Sequence, residues 1–348
     1  MHALPRPRGI PGRELDNGAV SKAKSPLHMK KMLIAAAMGM LLPAGGSVAQ
    51  GFPSKTIRLV ATSSPGSPVD LFSRAIVDHL ARSTGQAVVV ENRAGAGGTL
   101  AAGYVLAAET DGHVALVNTS AQVIAPFVYP NLAFDMLRDF AGVAPLAVLP
   151  NVLIVPPQRP WKSMKELIAA AQAKPGALNY GTGGSGTGTH MSAERFRMSA
   201  GIDAAQVPYK GSPEALVEVI AGRIDWSILP LSTVLSHIKD GRVRALALSA
   251  ERRSPQLPEV PTIAESGLAD ADFPFWVGMF VSSKAPRPAV RRLHEDTLKA
   301  LQAPEVRARY EKLGAEPFTL TPENFDAFVR AQAEVAGAIV KAANIRAN

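Results

Sequence analysis

From residue 55 onward, short β-branched runs alternate with amphipathic stretches. Ile57-Arg58-Leu59-Val60-Ala61 has strand character, and a Ser/Pro/Gly loop follows it. A helix is predicted from about Asp70 to Ala81, with Leu71, Ile76, Val77 and Leu80 on one face. Ala87 to Val90 reads as the next strand, Thr99 to Ala108 as a helix, and Val114 to Val117 as a strand after the Asp111-Gly112 turn. Strand–helix–strand order of this kind implies right-handed crossovers and a parallel sheet.

A second set begins near Asn151. Val152 to Val155 is a strand ended by Pro156-Pro157. Ser163-Met164-Lys165-Glu166 is a capping box that opens a helix, and Pro175-Gly176 closes it. A glycine-rich turn, a helix from about His190 and the strand Ala205 to Val207 come next. Ser212 caps a further helix with Pro213 at its first position. Ile224 to Leu229 and Val243 to Ser249 are strands, and Trp276 to Val281 is another after a Pro-rich stretch. The tail is helical over about Pro288 to Leu301, Pro304 to Leu313 and a long segment capped by Thr321. That last helix has an apolar stripe of Phe325, Phe328, Val329, Val335, Ile339 and Val340. Two α/β sets with a helical return predict two lobes: residues 50–150 with 273–348, and residues 151–272.

Charge changes this picture only once it is located. The chain has 37 Lys and Arg against 29 Asp and Glu, a net +8. Seven of the bases and two of the acids fall in residues 1–49; removing them leaves 30 against 27, a net +3. The remainder carries no basic block, so a nucleic-acid partner is not expected. Met29-Lys30-Lys31, the eleven apolar residues Met32 to Leu42, and Ser47-Val48-Ala49 before Gln50 form a secretory leader pattern. The apolar run is shorter than the roughly 20 residues a spanning helix needs. Residues 29–49 are therefore expected to be a signal peptide. Residues 1–28, Pro- and Arg-rich, are expected to be an unstructured or spurious extension, with translation starting at Met29.

Glycine loops mark the candidate chemistry. Thr62-Ser63-Ser64-Pro65-Gly66-Ser67-Pro68-Val69-Asp70 sits where a parallel strand hands over to a helix, the edge of an open α/β sheet where ligands collect. Free N–H groups and the helix dipole favour an anion there. The same loop could be a plain capped turn with Asp70 as N-cap. Tyr180 to His190 interleaves five glycines with hydroxyls and leads directly into a helix, an N–H-rich cradle. A flexible linker is the alternative. Gly181 to Gly186 also fits G-x-G-x-x-G, a weak match here because the preceding strand is very short. Ala94-Gly95-Ala96-Gly97-Gly98-Thr99 reads mainly as a structural turn.

Catalytic and metal-binding arrangements are thin. The chain has no cysteine, no G-x-S-x-G and no H-E-x-x-H. His79, His237 and His294 read as solvated helix-face residues, and only His190 has a site-like position. No catalytic residue, metal ligand or cofactor is assigned.

Read together, these loops resemble the solute-binding receptors of tripartite tricarboxylate transporters, the Bug family of periplasmic proteins. The likeness is carried by Val88-Val89-Val90-Glu91-Asn92-Arg93 with Gly95-Ala96-Gly97-Gly98, and by Pro175-Gly176-x-Leu178-Asn179-Tyr180-Gly181. Val207-Pro208-Tyr209-Lys210-Gly211, Gly222-Arg223-Ile224-Asp225 and Leu257-Pro258-Glu259-Val260-Pro261-Thr262 continue it. The resemblance implies a two-lobed type II periplasmic-binding-protein fold with a carboxylate in the cleft between lobes. It implies a monomer of a Gram-negative periplasm that serves a membrane transporter or a sensor kinase.

Carried over, the first loop offers Ser64, Gly66, Ser67, Val69 and Asp70, and the second Thr182, Gly186, Thr187, Thr189 and His190. Asn118 and Thr119 end a strand aimed at the same cleft, with Tyr209 and Asp225 facing it from the second lobe. Tyr209 could instead be a packing aromatic, and Asp225 could tie down a loop. Lys210 reads as solvated and Trp276 as packing at the hinge. The first loop departs from the family's glycine-richer pattern: Pro68 removes an N–H donor while Ser67 adds a hydroxyl. An exported α/β enzyme that uses residues 181–190 as an oxyanion cradle, and a structural envelope protein, are the competing readings.

Overall fold

The computed structural model describes residues 51–345 apart from 130, 274, 343 and 344; the expected extension 1–28 and signal peptide 29–49 lie outside the described residues. The chain opens with β1 (Ile57–Ala61), α1 (Pro68–Thr84), β2 (Val88–Asn92), α2 (Thr99–Ala107) and β3 (Val114–Thr119). There follow α3 (Ala121–Val128), β4 (Phe140–Leu149), β5 (Asn151–Val155), α4 (Met164–Ala173), β6 (Leu178–Thr182) and α5 (Gly188–Ser199). Then come β7 (Ala204–Pro208), α6 (Ser212–Ile220), β8 (Trp226–Pro230), α7 (Leu231–Lys239) and β9 (Arg244–Ser249). The return consists of β10 (Phe275–Ser282), α8 (Arg287–Gln302), α9 (Pro304–Lys312), β11 (Glu316–Pro317) and α10 (Pro322–Ala342).

The strands form two sheets, a six-stranded one in the order β11-β4-β10-β3-β1-β2 and a five-stranded one in the order β7-β6-β8-β5-β9. In the first, β1 pairs in parallel with both β2 and β3, as the alternating pattern predicts. In the second, β6 lies parallel to β7 and β8. The chain passes from one sheet to the other at Pro150, between β4 and β5, and comes back after β9 to β10, which runs antiparallel between β3 and β4.

Alternation along single strands shows why each sheet is covered on both faces. Ile57, Leu59 and Ala61 of β1 join one buried cluster and Val60 joins another. Leu153 and Val155 of β5 join a third, Val152 and Ile154 a fourth. A strand with both faces buried must be apolar throughout, and helices supply the cover. Burying each such side chain contributes roughly 1.5–3 kcal/mol.

α10 lays Phe325, Val329, Ala333, Ala336 and Val340 on the second cluster. Val335, expected in that stripe, is exposed. Trp276 is buried in the same cluster, edge-on to Phe325 and Phe328, and pairs with Val148, two residues before the crossover at Pro150. His294 is not solvated either: it is buried, with Nδ1 2.8 Å from the Val143 carbonyl. The strand β4 escapes the apolar-run reading because it contains Gly142 and Pro145. Pro145 pairs opposite Gly278 at a register shift, where a missing N–H costs least.

Candidate functional site

The parallel strands of both sheets end toward one cleft. Thr62 follows β1, Thr119 ends β3, Thr182 ends β6 and Pro208 ends β7. Thr62, Thr119 and Pro208 line a cleft of about 740 Å³ whose walls come from both sheets' loops. This is the carboxyl edge at which open α/β sheets collect ligands.

α1 brings the first loop to the cleft with Ser67 as N-cap and Pro68 at its first position. The helix thus begins earlier than Asp70, and Pro68 is tolerated because the first N–H of a helix has no intrahelical acceptor. That N–H is nevertheless one a cleft-bound anion could use. In its place stands Ser67, a residue that lines the cleft, is only 1% exposed, and has a buried hydroxyl with no hydrogen-bond partner among the described residues. Asp70 turns back on its own loop: Oδ2 accepts from Gly66 N at 3.0 Å, and Oδ1 accepts from Arg74 Nε at 2.9 Å. Val69 lines the cleft, Gly66 and Asp70 do not, and Ser64 donates to Glu214 Oε2 at 2.8 Å.

α5 brings the second loop, with Thr187 as N-cap. Its own first-turn side chains tie this loop down. Thr187 Oγ1 donates to the Gly184 carbonyl at 2.7 Å, Gly183 N donates to Thr189 Oγ1 at 2.9 Å, and Gly186 N donates to His190 Nδ1 at 3.2 Å. Thr187 and Thr189 line the cleft. Thr182, Gly186 and His190 lie behind it; Thr182 Oγ1 is held by Gln206 Nε2 at 2.9 Å. Burial pushes the His190 imidazole down to about 4, so it is neutral and accepts the Gly186 N–H. Five glycines do not make a linker here: the loop is preorganised by the helix behind it.

Asn118 and Thr119 both line the cleft. Asn118 is locked from behind: Oδ1 accepts from Thr62 Oγ1 at 3.0 Å and Nδ2 donates to Gln122 Oε1 at 3.0 Å, while Gln122 Nε2 donates to the Met136 carbonyl. Tyr209 lines the cleft, and burial raises its phenol's pKa. Asp225 is not brought there. Its buried carboxylate pairs with Arg159 and accepts from Asn179 N at 2.9 Å, and Asn179 Oδ1 accepts from Asp225 N in return. That leaves Asp225 tying β6 to the turn before β8.

Several lining residues were not singled out by the sequence pattern. Gly95, Ala96, Gly97 and Gly98 face the cleft, as do Tyr129, Ser185, Gln206, Glu214 and Phe275. The Gly95–Gly98 run carried a signal in its glycine count. A Cβ on Gly97 would stand 2.7 Å from the Ser185 carbonyl oxygen of the opposite wall, so glycine is what permits the approach. The walls are also bonded to each other directly: Ser63 Oγ donates to the Lys210 carbonyl at 3.2 Å, and Tyr129 to the Ser185 carbonyl. This is a closed arrangement.

Chemically, the cleft is lined mainly by neutral polar groups, with Lys210 and Glu214 as its charged residue types. Helix starts, α1 and α5 among them, supply N–H groups and positive dipole ends, Ser and Thr supply hydroxyls, and Asn118 and Gln206 supply amides. Such a lining suits an anion held by hydrogen bonds. No group of three or more His, Cys, Asp and Glu side chains suited to a metal ion occurs among the described residues.

Comparison with known proteins agrees with this geometry. The sequence pattern described as "Tripartite tricarboxylate transporter family receptor" matches residues 72–345. A UPF0065 protein from a Pseudomonas strain, in a tcbD-tcbE intergenic region, is 36% identical over 307 residues, 87% of this chain and 91% of that one. A solved R. palustris protein with adipate superposes with a TM-score of 0.82 at 29% identity, covering 85% of this chain and 100% of that one. MatC from Rhodopseudomonas palustris, with bound malate, gives 0.80 at 30% identity over 83% of this chain and 100% of that one. The fold is the two-lobed type II architecture of periplasmic solute-binding proteins.

Proposed function

This chain belongs to the tripartite tricarboxylate transporter receptor family, and we propose from that premise that it captures a small organic carboxylate in the cleft. It is a solute-binding receptor rather than an enzyme. The observation that carries the carboxylate reading is the buried, unpartnered Ser67 hydroxyl at the start of α1, on the wall opposite the Thr187 and Thr189 hydroxyls of α5. A buried hydroxyl without a partner costs about 1–3 kcal/mol, a cost that a bound anion would relieve.

The mechanism follows from the division into lobes 50–150 with 273–348, and 151–272. Both lobes supply helix starts, so an anion touching both walls favours the closed state by its differential affinity for it. The liganded receptor works in the periplasm, reached through the leader 29–49, as a monomer that presents its cargo to a membrane transporter or a sensor kinase. Binding to homologues solved with adipate and with malate supports the carboxylate class.

A thermal-shift panel of mono-, di- and tricarboxylates on purified protein tests the reading. A ligand that binds only the folded state raises Tm by mass action. At least one carboxylate is expected to raise it; a flat panel at millimolar concentration would refute the assignment.

A further inference from the structure

The charge of the cleft is set by two side chains. Among its described lining residues Lys210 and Glu214 are the only ones of charged type, and no arginine is present. Lys210 is exposed, and the contact it makes with the opposite wall is through its backbone carbonyl. Glu214 is half-buried in the first turn of α6, where the helix dipole stabilises a carboxylate. Its Oε2 accepts from Ser64 Oγ across the cleft and would lie 3.0 Å from a Cβ on Gly211, so the carboxylate folds back over the start of its own helix.

The consequence is an asymmetric cleft. Five helix starts approach it, those of α1, α2, α3, α5 and α6. Of these starts only that of α6 puts a carboxylate in the cleft lining; Asp70 in the first turn of α1 lies outside the lining and pairs with Arg74, which leaves α1 and α5 as the donor end. A carboxylate group on the ligand finds donors there. A second carboxylate reaching toward α6 meets Glu214, an acceptor with nothing to donate, and no arginine to offset the repulsion.

We propose that Glu214 is a specificity-determining residue that selects ligands with one carboxylate and, toward α6, a hydrogen-bond donor such as a hydroxyl, amide or ammonium group. Diacids that present a second carboxylate there are disfavoured. The proposal rests on the carboxylate-receptor reading above and narrows it.

Matched pairs separate the two. Titration calorimetry of the purified protein with succinate against succinamate, and adipate against adipamate, changes one carboxylate to an amide at constant length. The monoamide is expected to bind at least about tenfold more tightly than its diacid, about 1.4 kcal/mol. Glu214→Gln keeps an acceptor for Ser64 but removes the charge, and is expected to shrink that ratio to about twofold or less. Ser64→Ala breaks the cross-cleft bond while leaving the charge, and is expected to keep the ratio. Diacids binding the unaltered protein as tightly as monoamides, or a ratio that Glu214→Gln leaves unchanged, would overturn the role of Glu214 while sparing the carboxylate reading. Failure of every one of these acids to bind would overturn both.

Discussion

The Tyr129 hydroxyl donates to the Ser185 carbonyl at 2.9 Å, joining the end of α3 to the glycine loop of the opposite lobe. Burial raises the pKa of the phenol, which keeps it protonated and a donor. The bond exists only when the walls are together, so its worth belongs to the closed state. A neutral hydrogen bond contributes about 0.5–1.5 kcal/mol net. Tyr129→Phe is therefore expected to weaken ligand binding by roughly two- to tenfold, mostly through faster dissociation, with the unfolding midpoint in urea little changed. Stopped-flow dissociation and calorimetry check it. An unaltered off-rate would mean that the contact contributes nothing to closure.

Gly186 gives a sharper steric test. Its φ is +72°, and a Cβ there would stand 3.0 Å from Tyr129 Cε2 and 3.3 Å from Val128 Cγ1. Gly186→Ala adds left-handed strain of about 1–2 kcal/mol together with a clash that only closure creates. Gly201 is the control: its φ is +59° and nothing lies within 4 Å of its Cβ position. Small-angle scattering is expected to show ligand-induced compaction lost in Gly186→Ala and kept in Gly201→Ala. Equal compaction in both would remove Gly186 from the closing interface.

Asp225 is expected to matter for stability and not for ligand. Asp225→Ala leaves Arg159 without its partner and the part-buried Asn179 N–H without an acceptor. A loss of about 1–3 kcal/mol is expected, since buried groups left unsatisfied cost that much. Urea unfolding measures the loss, and calorimetry on the same sample measures an affinity within about twofold of the unaltered protein. A selective loss of affinity would put Asp225 in the binding machinery after all.

The pH dependence of stability has a definite sign at His190. Its folded value is near 4, below the ordinary 6.5, with burial the main cause; Glu194 opposes the drop and Arg197 adds to it. The unfolded chain therefore takes up the proton first as pH falls. Stability from this group is complete above about pH 6.5 and is lost progressively between 6.5 and 4, on the order of 3 kcal/mol in total. Urea unfolding at pH 7, 5.5 and 4 is expected to fall more steeply for the unaltered protein than for His190→Gln. Parallel slopes would contradict the assignment.

What could be read in the residues before the fold was known follows a physical division. Local signals worked. A short β-branched run marked β1, and Pro213 and Pro322 at helix starts marked α6 and α10. Hydroxyl–glycine loops marked both sides of the cleft. Non-local relations did not show. β4 reads poorly because Gly142 and Pro145 are disfavoured in strands, and it is held by pairing with β10, over a hundred residues away. α3 has Pro126 inside it and lacks a polar face. Gly97 looked like a turn glycine because its reason for being glycine is Ser185, on the other wall. Asp225 had the right spacing, but its orientation depends on Arg159. Glu214 looked like an ordinary first-turn acid until Ser64 was placed opposite it.

Ser67 is the residue on which a carboxylate receptor of this geometry most directly depends. The residue lines the cleft, and its hydroxyl is buried with no hydrogen-bond partner among the described residues. Ser67→Ala removes a polar group that the unliganded fold does not use, so stability without ligand should hold or rise by up to about 1 kcal/mol. Titration calorimetry of Ser67→Ala beside the unaltered protein, with whichever carboxylate gives the largest thermal shift, is expected to show binding at least about tenfold weaker, as for a charge-assisted hydrogen bond worth about 1.5–3 kcal/mol. Undiminished affinity in a folded Ser67→Ala protein would contradict the placement of the anion at the start of α1.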